Sequence, residues 1–192
     1  MRMCETLTYS ELLDKADQCE LSAHSMAYIC AFVASCYCHN VRTVKPFNPY
    51  LGETYEFVRR GKFRFIAEQV SHHPPISASF AENRHWEWHQ EFGVKTSFHG
   101  NSVSAQPKGF QYLRLRRSGH KYVVGDLLTV VHNVIIGSMW LDHFGDLEIV
   151  NEHTGEKARM EFRKCGWFGK GRHDVKAWVL NPAGETVIAL AG

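Results

Sequence analysis

From Thr54 to the end of the chain the hydrophobic period is two, and this limits the fold more than any other feature of the sequence. Thr54–Arg60 and Phe63–Val70 alternate across Gly61-Lys62, as the arms of a hairpin do. Ile76–Glu82, Trp86–Phe92, Val94–His99 and Ser102–Gln106 follow as short strands. Turn signals stand at Asn83-Arg84, Gly100-Asn101 and Pro107-Lys108-Gly109. Phe110–Arg117 and His120–Leu127 extend the pattern, although neither face of the first is uniformly apolar. Leu128–Gly137 is mostly apolar and β-branched, and reads as a strand buried on both faces. Met139–Phe144, Leu147–Asn151 and Lys157–Lys164 come next. Cys165–Arg172 is a glycine-rich loop, and Val175–Leu180 with Val187–Leu190 forms a last hairpin across Pro182-Ala183-Gly184. So many short strands imply an antiparallel barrel or sandwich and exclude a βαβ fold; periodicity alone does not choose between the two.

Before Thr54 the period is helical. Thr8-Tyr9-Ser10-Glu11 fits a capping box and predicts a helix to about Cys19. Ser22 opens a second helix to about Cys38, with Met26, Ile29, Cys30, Val33 and Tyr37 on one face. Its apolar stretch is shorter than the ~20 residues that a membrane span needs, so it is read as a core helix packed on the sheet. The 192 residues suffice for one domain. A net charge of +2 gives no reason to expect a nucleic-acid partner. The six cysteines include no Cys-x-x-Cys and no apolar leader opens the chain, so reduced thiols and a cytoplasmic location are expected. Cys36, Cys38 and His39 lack a second pair of ligands at zinc spacing; no metal and no cofactor is expected.

Two segments carry the chemistry. Glu68-Gln69-Val70-Ser71-His72-His73-Pro74-Pro75 ends an alternating run with adjacent imidazoles before two prolines. Proline lacks an N–H and restricts the residue before it, so the ladder should stop here and leave both rings on a stiff rim. Imidazoles donate from nitrogen and titrate near neutral pH, which suits an anion. On a regular strand His72 and His73 would face opposite ways, so one ligand reaches both only where the backbone is irregular. Upstream, Lys45-Pro46-Phe47-Asn48-Pro49-Tyr50-Leu51-Gly52-Glu53 places an ammonium, a good point partner for phosphate, ahead of a proline-bounded loop. The expectation is that the two segments meet as a phosphate clamp. Asn48 either contacts the ligand or is a turn residue before Pro49. Glu53 either orients Lys45 or is a charge at a strand start. Glu68, which would repel phosphate, is assigned to structure as a partner for a nearby base or backbone N–H.

These two strings resemble the signature motifs of the oxysterol-binding-protein-related family of lipid transporters. The likeness continues more weakly through Val131–Gly137 and Cys165–Lys170. The resemblance implies a large, incomplete antiparallel β-barrel enclosing a lipid cavity, with helices at about 8–38 and the barrel portion at about 54–192. It implies transfer between membranes of a sterol or other lipid, exchanged against a phosphoinositide, with transient contact at membrane surfaces. Lys45, Asn48, His72 and His73 would hold the phosphoinositide head group, with Glu53 supporting. A sensor or scaffold that binds without transporting is the alternative. An enzyme built on Ser71, His72 and Glu68 is disfavoured, because neighbours on one strand seldom converge as a triad and no Gly-x-Ser-x-Gly elbow is present. The family's lid segment and its C-terminal part have no counterpart in these 192 residues, so a single partial lipid-binding domain over 1–192 is expected. Trp140, Trp167 and Trp178 are read as core or wall, and Trp167-Phe168 as the best candidate for an exposed anchor. His132 and Asn133 are read as an internally satisfied pair.

Overall fold

A computed structural model describes residues 2–38, 48–166 and 169–192. The chain opens with α1 (Arg2–Glu5), a 3-10 turn (Thr6–Tyr9), α2 (Glu11–Gln18) and α3 (Ser22–Cys36). The expected capping box does not form. Thr8 lies inside the 3-10 turn, where its hydroxyl donates to the Glu5 carbonyl at 2.6 Å, and Ser10 occupies the N-cap position without a side-chain capping bond.

Among the described residues twelve antiparallel strands follow: β1 (Thr54–Arg59), β2 (Phe63–His72), β3 (Pro75–Glu82), β4 (Trp86–His99), β5 (Ser102–Lys108), β6 (Gln111–Leu115), β7 (Lys121–Val124), β8 (Leu128–His132), β9 (Trp140–Asn151), β10 (Lys157–Phe162), β11 (Val175–Leu180) and β12 (Thr186–Ala191). They form one sheet, bounded among the described residues by β1 and β12. Within it β4, β5, β8, β9, β7 and β6 pair in turn and return to β4, closing a ring of strands.

Two strands make that ring possible, and each was expected to be a pair of shorter strands. β4 runs unbroken through Gly93, pairing with β6 over Trp86–Gln90 and with β5 over Gly93–His99. β9 runs unbroken through Gly145, pairing with β8 over Trp140–Phe144 and with β10 beyond it. Glycine inside a strand marks a bend or a close backbone approach. Gly145 has a φ of +118°, which a residue with a Cβ rarely adopts. The sequence signals for a break were therefore sites where a continuous strand changes partner.

The core lies under the lower half of the sheet, the end where β4 begins. Trp86, Trp88, Leu113, Leu115, Ile149 and Met160 point inward and are fully buried. This settles β6: its Leu113–Leu115 face is the inner one. Phe32 of α3 meets Trp88 edge-to-face at 5.3 Å between centroids, and Tyr37 meets Phe162 at 5.2 Å. α2 is held by polar bonds. Asp14 Oδ1 accepts from Trp86 Nε1 at 2.9 Å and from Asn83 Nδ2 at 2.7 Å. Asp17 accepts from the Arg117 backbone N–H at 2.8 Å and lies 3.0 Å from His85 Nδ1. β5 and β8 contribute nothing to this core; Val103, Ala105, Val130 and Val131 are only half-buried.

The scattered histidines have local partners: His89 stacks on Tyr112, His120 on His153, and His99 bonds Ser104. All six cysteines are free, and burial pushes the Cys30 and Cys36 thiols up to about 12. Among the described residues no helix is long and apolar enough to cross a membrane.

His143 on β9 lies against Tyr37, with Nδ1 2.8 Å from the Thr129 hydroxyl. Burial, with His173 nearby, lowers its pKa to about 4. A depressed folded-state pKa gives stability that is complete above the unfolded value, about 6.5, and lost as pH falls towards the folded one. Between pH 7 and pH 5 this group should remove roughly 2 kcal/mol of stability. Urea unfolding at both pH values should show a smaller pH difference for His143→Gln than for the wild type.

Candidate functional site

The second residue of the rim signature is a buried side chain that was not singled out in the sequence. Gln69 is 2% exposed on the inner face of β2. Its Nε2 donates to the Ser71 carbonyl at 2.8 Å, and its Oε1 accepts from the Ser77 hydroxyl of β3. Between these partners the β2–β3 register shifts, so that Gln69 pairs with Ser77 but Ser71 pairs with Ile76. A bulge breaks the strict alternation of side chains. His72 is the last residue of β2 and His73 lies in the turn after it, where alternation no longer applies, and their rings meet at 4.7 Å between centroids and 68° between planes. The irregularity that one shared ligand requires is thus present at this strand end. The His73–Pro74 peptide is cis. His72 is half-buried and His73 exposed; Nδ1 of His72 is inaccessible and has no hydrogen-bond partner among the described residues.

The same glutamine fixes the upstream segment. Gly52 N–H donates to the Gln69 carbonyl at 2.8 Å, and Gln69 N–H donates to the Glu53 carbonyl at 3.0 Å. Gly52 has a φ of +75°, so glycine suits this turn on backbone grounds. Glu53 closes the turn from both sides. Its N–H donates to the Tyr50 carbonyl at 2.9 Å and its Oε2 accepts from the Tyr50 N–H at 2.9 Å. Asn48 is exposed just before that turn. The structure therefore brings Asn48, Glu53, His72 and His73 to one end of β2. Lys45 lies outside the described residues, as do His39, Trp167 and Phe168. Glu68 is exposed and has no side-chain partner among the described residues, so the bonding role expected of it is not seen there.

The loops at this end of the sheet belong together. β2, β4, β8 and β10 end here, and β3, β5, β9 and β11 begin here, as their antiparallel registers require. Val131–Gly137 departs from expectation. The strand stops at His132, Asn133 takes a φ of +59°, and Ile135 and Ile136 are 66% and 76% exposed. His132 stacks on Trp140 at 4.2 Å, and its Nε2 is buried without a partner among the described residues. The reading of His132 and Asn133 as a mutually satisfied pair is thus replaced. Asn133 bonds instead to Asn101 and to the Ser138 carbonyl.

A family model described as Oxysterol-binding protein matches residues 1–192. The chain belongs to the oxysterol-binding protein family. It is 44% identical over 194 residues to Oxysterol-binding protein-related protein 3C of Arabidopsis thaliana, covering 100% of this chain and 42% of that protein. It is 40% identical over 195 residues to human Oxysterol-binding protein-related protein 1, covering 100% of this chain and 20% of that protein. The chain therefore spans well under half the length of these curated relatives. The fold matches the crystal structure of the Osh1 ORD domain in complex with cholesterol, with a TM-score of 0.91 and 35% identity over 100% of this chain and 46% of that one. It also matches the Osh3 ORD of Saccharomyces cerevisiae in complex with PI(4)P, with a TM-score of 0.88 and 29% identity over 100% of this chain and 52% of that one. The expected fold, a mainly antiparallel sheet preceded by helices, is the one observed.

Replacing Gln69 by leucine would leave the Ser71 carbonyl and the Ser77 hydroxyl unpartnered at a buried position. Unmade bonds of this kind cost ~1–3 kcal/mol. Denaturant unfolding of Gln69→Leu should show a loss in that range.

Proposed function

We propose that this chain forms the phosphoinositide-binding rim and part of the wall of a lipid-transfer domain. The observation that carries the reading is the pairing of the His72 and His73 rings beside the Tyr50–Glu53 turn, both organised by Gln69. The likeness to a PI(4)P complex and to a cholesterol complex supports the two ligand classes.

In this reading His72 and His73 donate to a phosphate of the head group. With Nδ1 of His72 turned inward, Nε2 is the nitrogen left for the ligand. Charge-assisted bonds of this kind are roughly twice as strong as neutral ones, and they fix the head. Asn48 donates from the adjoining loop, Lys45 adds an ammonium, and Glu53 keeps the loop in place through its bond to the Tyr50 N–H. The half-buried strands β5 and β8, which α3 leaves out of the packed core, provide apolar surface for a sterol or acyl tail. No covalent chemistry is needed. The protein exchanges bilayer contacts for protein contacts, carrying a sterol or other lipid one way and a phosphoinositide the other. It works at the cytoplasmic face of membranes, as one partial lipid-binding domain spanning 1–192.

His72→Ala/His73→Ala should lower the affinity for a soluble short-chain phosphoinositide at least ~30-fold, from the loss of two charge-assisted bonds. Sterol binding should stay within about twofold, because it rests on apolar surface. Titration calorimetry with each ligand checks both points, and undiminished head-group affinity in the double variant sinks the histidine contact. A donor-to-acceptor liposome assay separates a carrier from a sensor, which would bind yet move nothing.

A further inference from the structure

The connection between β8 and β9 is short, apolar at its tip and tightly held. Ile135 and Ile136, at 66% and 76% exposure, are among the most exposed large apolar side chains described. An apolar tip of this kind is usually mobile or tucked away. This one is fixed from the neighbouring β4–β5 turn by the side chain of Asn101. Asn101 Oδ1 accepts from the Ile135 and Ile136 N–H groups, each at 3.0 Å. Its Nδ2 donates to the Ile136 carbonyl at 3.0 Å and to Asn133 Oδ1 at 3.2 Å. Val134 N–H donates to the Asn101 carbonyl at 3.2 Å, and Asn133 Nδ2 donates to the Ser138 carbonyl at 3.0 Å. The backbone polar groups of the tip are thus largely satisfied within the protein, while its side chains are turned out. That division suits a medium in which backbone groups find no water. A prearranged loop also loses little conformational entropy on binding.

The surroundings are cationic. The residues following the tip, Ser138, Met139 and Trp140, line a depression of about 510 Å³ together with Lys164 and Arg172. Arg172 lies over Trp140 at 5.1 Å and Lys164 over Phe144 at 4.9 Å. Among the described residues neither cation forms an ion pair. The acid that lines the depression, Asp142, is 4% exposed and accepts from the Cys165 N–H at 3.4 Å. Phe98, 63% exposed, stands on the adjoining β4–β5 hairpin, which continues from Gly93 to His99 on this side of the sheet.

We infer that the β8–β9 tip is a membrane wedge. Ile135 and Ile136 enter the interfacial zone of an anionic bilayer, while Lys164 and Arg172 meet lipid phosphates beside them. The inference rests on the reading above in one respect: the wedge shares an end of the sheet with His72 and His73, so seating it would present the head-group rim to the same surface.

The test is co-sedimentation of the chain with vesicles that contain neither sterol nor phosphoinositide. One set is phosphatidylcholine alone and the other contains phosphatidylserine as well. Ile135→Asp/Ile136→Asp should lower vesicle affinity about tenfold or more on both sets, from the loss of apolar burial. The milder Ile135→Ser/Ile136→Ser should lower it in the same direction, with an unchanged unfolding midpoint for both variants. Lys164→Gln/Arg172→Gln should weaken binding about fivefold per cation on the phosphatidylserine set only, an effect that disappears at high salt. Wild-type-like binding by both isoleucine double variants overturns the wedge, as does a wild type that binds neither set. Undiminished binding of soluble phosphoinositide by the histidine variant would overturn the head-group reading alone, since none of these vesicles carries that lipid.

Discussion

The indole N–H of Trp86 is buried inside a sheet, and its partner comes from outside that sheet. Asp14 of α2 supplies the acceptor at 2.9 Å and holds Asn83 at the β3–β4 turn with the same oxygen. A buried donor without an acceptor costs more than a made bond gains, so this contact makes the helices and the sheet mutually dependent. Asp17 repeats the arrangement at the β6–β7 turn through the Arg117 N–H. With α2 fixed, α3 is set across the inner face, where Phe32 reaches Trp88 and Tyr37 reaches Phe162. The lower half of the sheet is filled by these contacts. The upper half is not, and it is the half that carries the histidine rim.

Much of this was legible in the chain because period-two alternation is a direct consequence of the pleat. The hairpins β1–β2 and β11–β12 match the alternating runs closely, and α3 matches its three- and four-residue spacing. Local readings failed where a residue type has two physical uses. Glycines 93 and 145 fall between segments read as separate strands, but each serves as the swivel at which one strand exchanges partners. Thr8 had the composition of a cap, yet the helical turn begins upstream of it. Leu128–Gly137 read as doubly buried because composition reports affinity for an apolar medium and cannot say whether that medium is protein. Asn101, which decides the matter for Ile135 and Ile136, lies about thirty residues away in another hairpin.

At the rim, the histidines were visible as a motif, while the means of aligning them was not. Alternation alone would have set His72 and His73 back to back. That conflict does not arise because β2 ends at His72 and His73 belongs to the turn, while Gln69 holds the Gly52–Glu53 turn by main-chain bonds. Gln69 escaped notice because a glutamine in a strand is usually a solvated outward residue. Only its 2% exposure and its bonds to Ser71 and Ser77 show that it organises both signature segments.

β4 and β9 each belong to both halves of the molecule, packed against aromatic side chains at one end and, at the other, exposed in β4 and half-buried in β9. Each is therefore clamped at its base, while its outer length is held through the β4–β5, β5–β8 and β8–β9 ladders that close the ring. Main-chain amides near the clamp should be shielded from solvent exchange as strongly as the whole fold allows, and those beyond Gly93 less so. Strain on those outer ladders can therefore be taken up beyond Gly93 and before Gly145 without loosening the packed base.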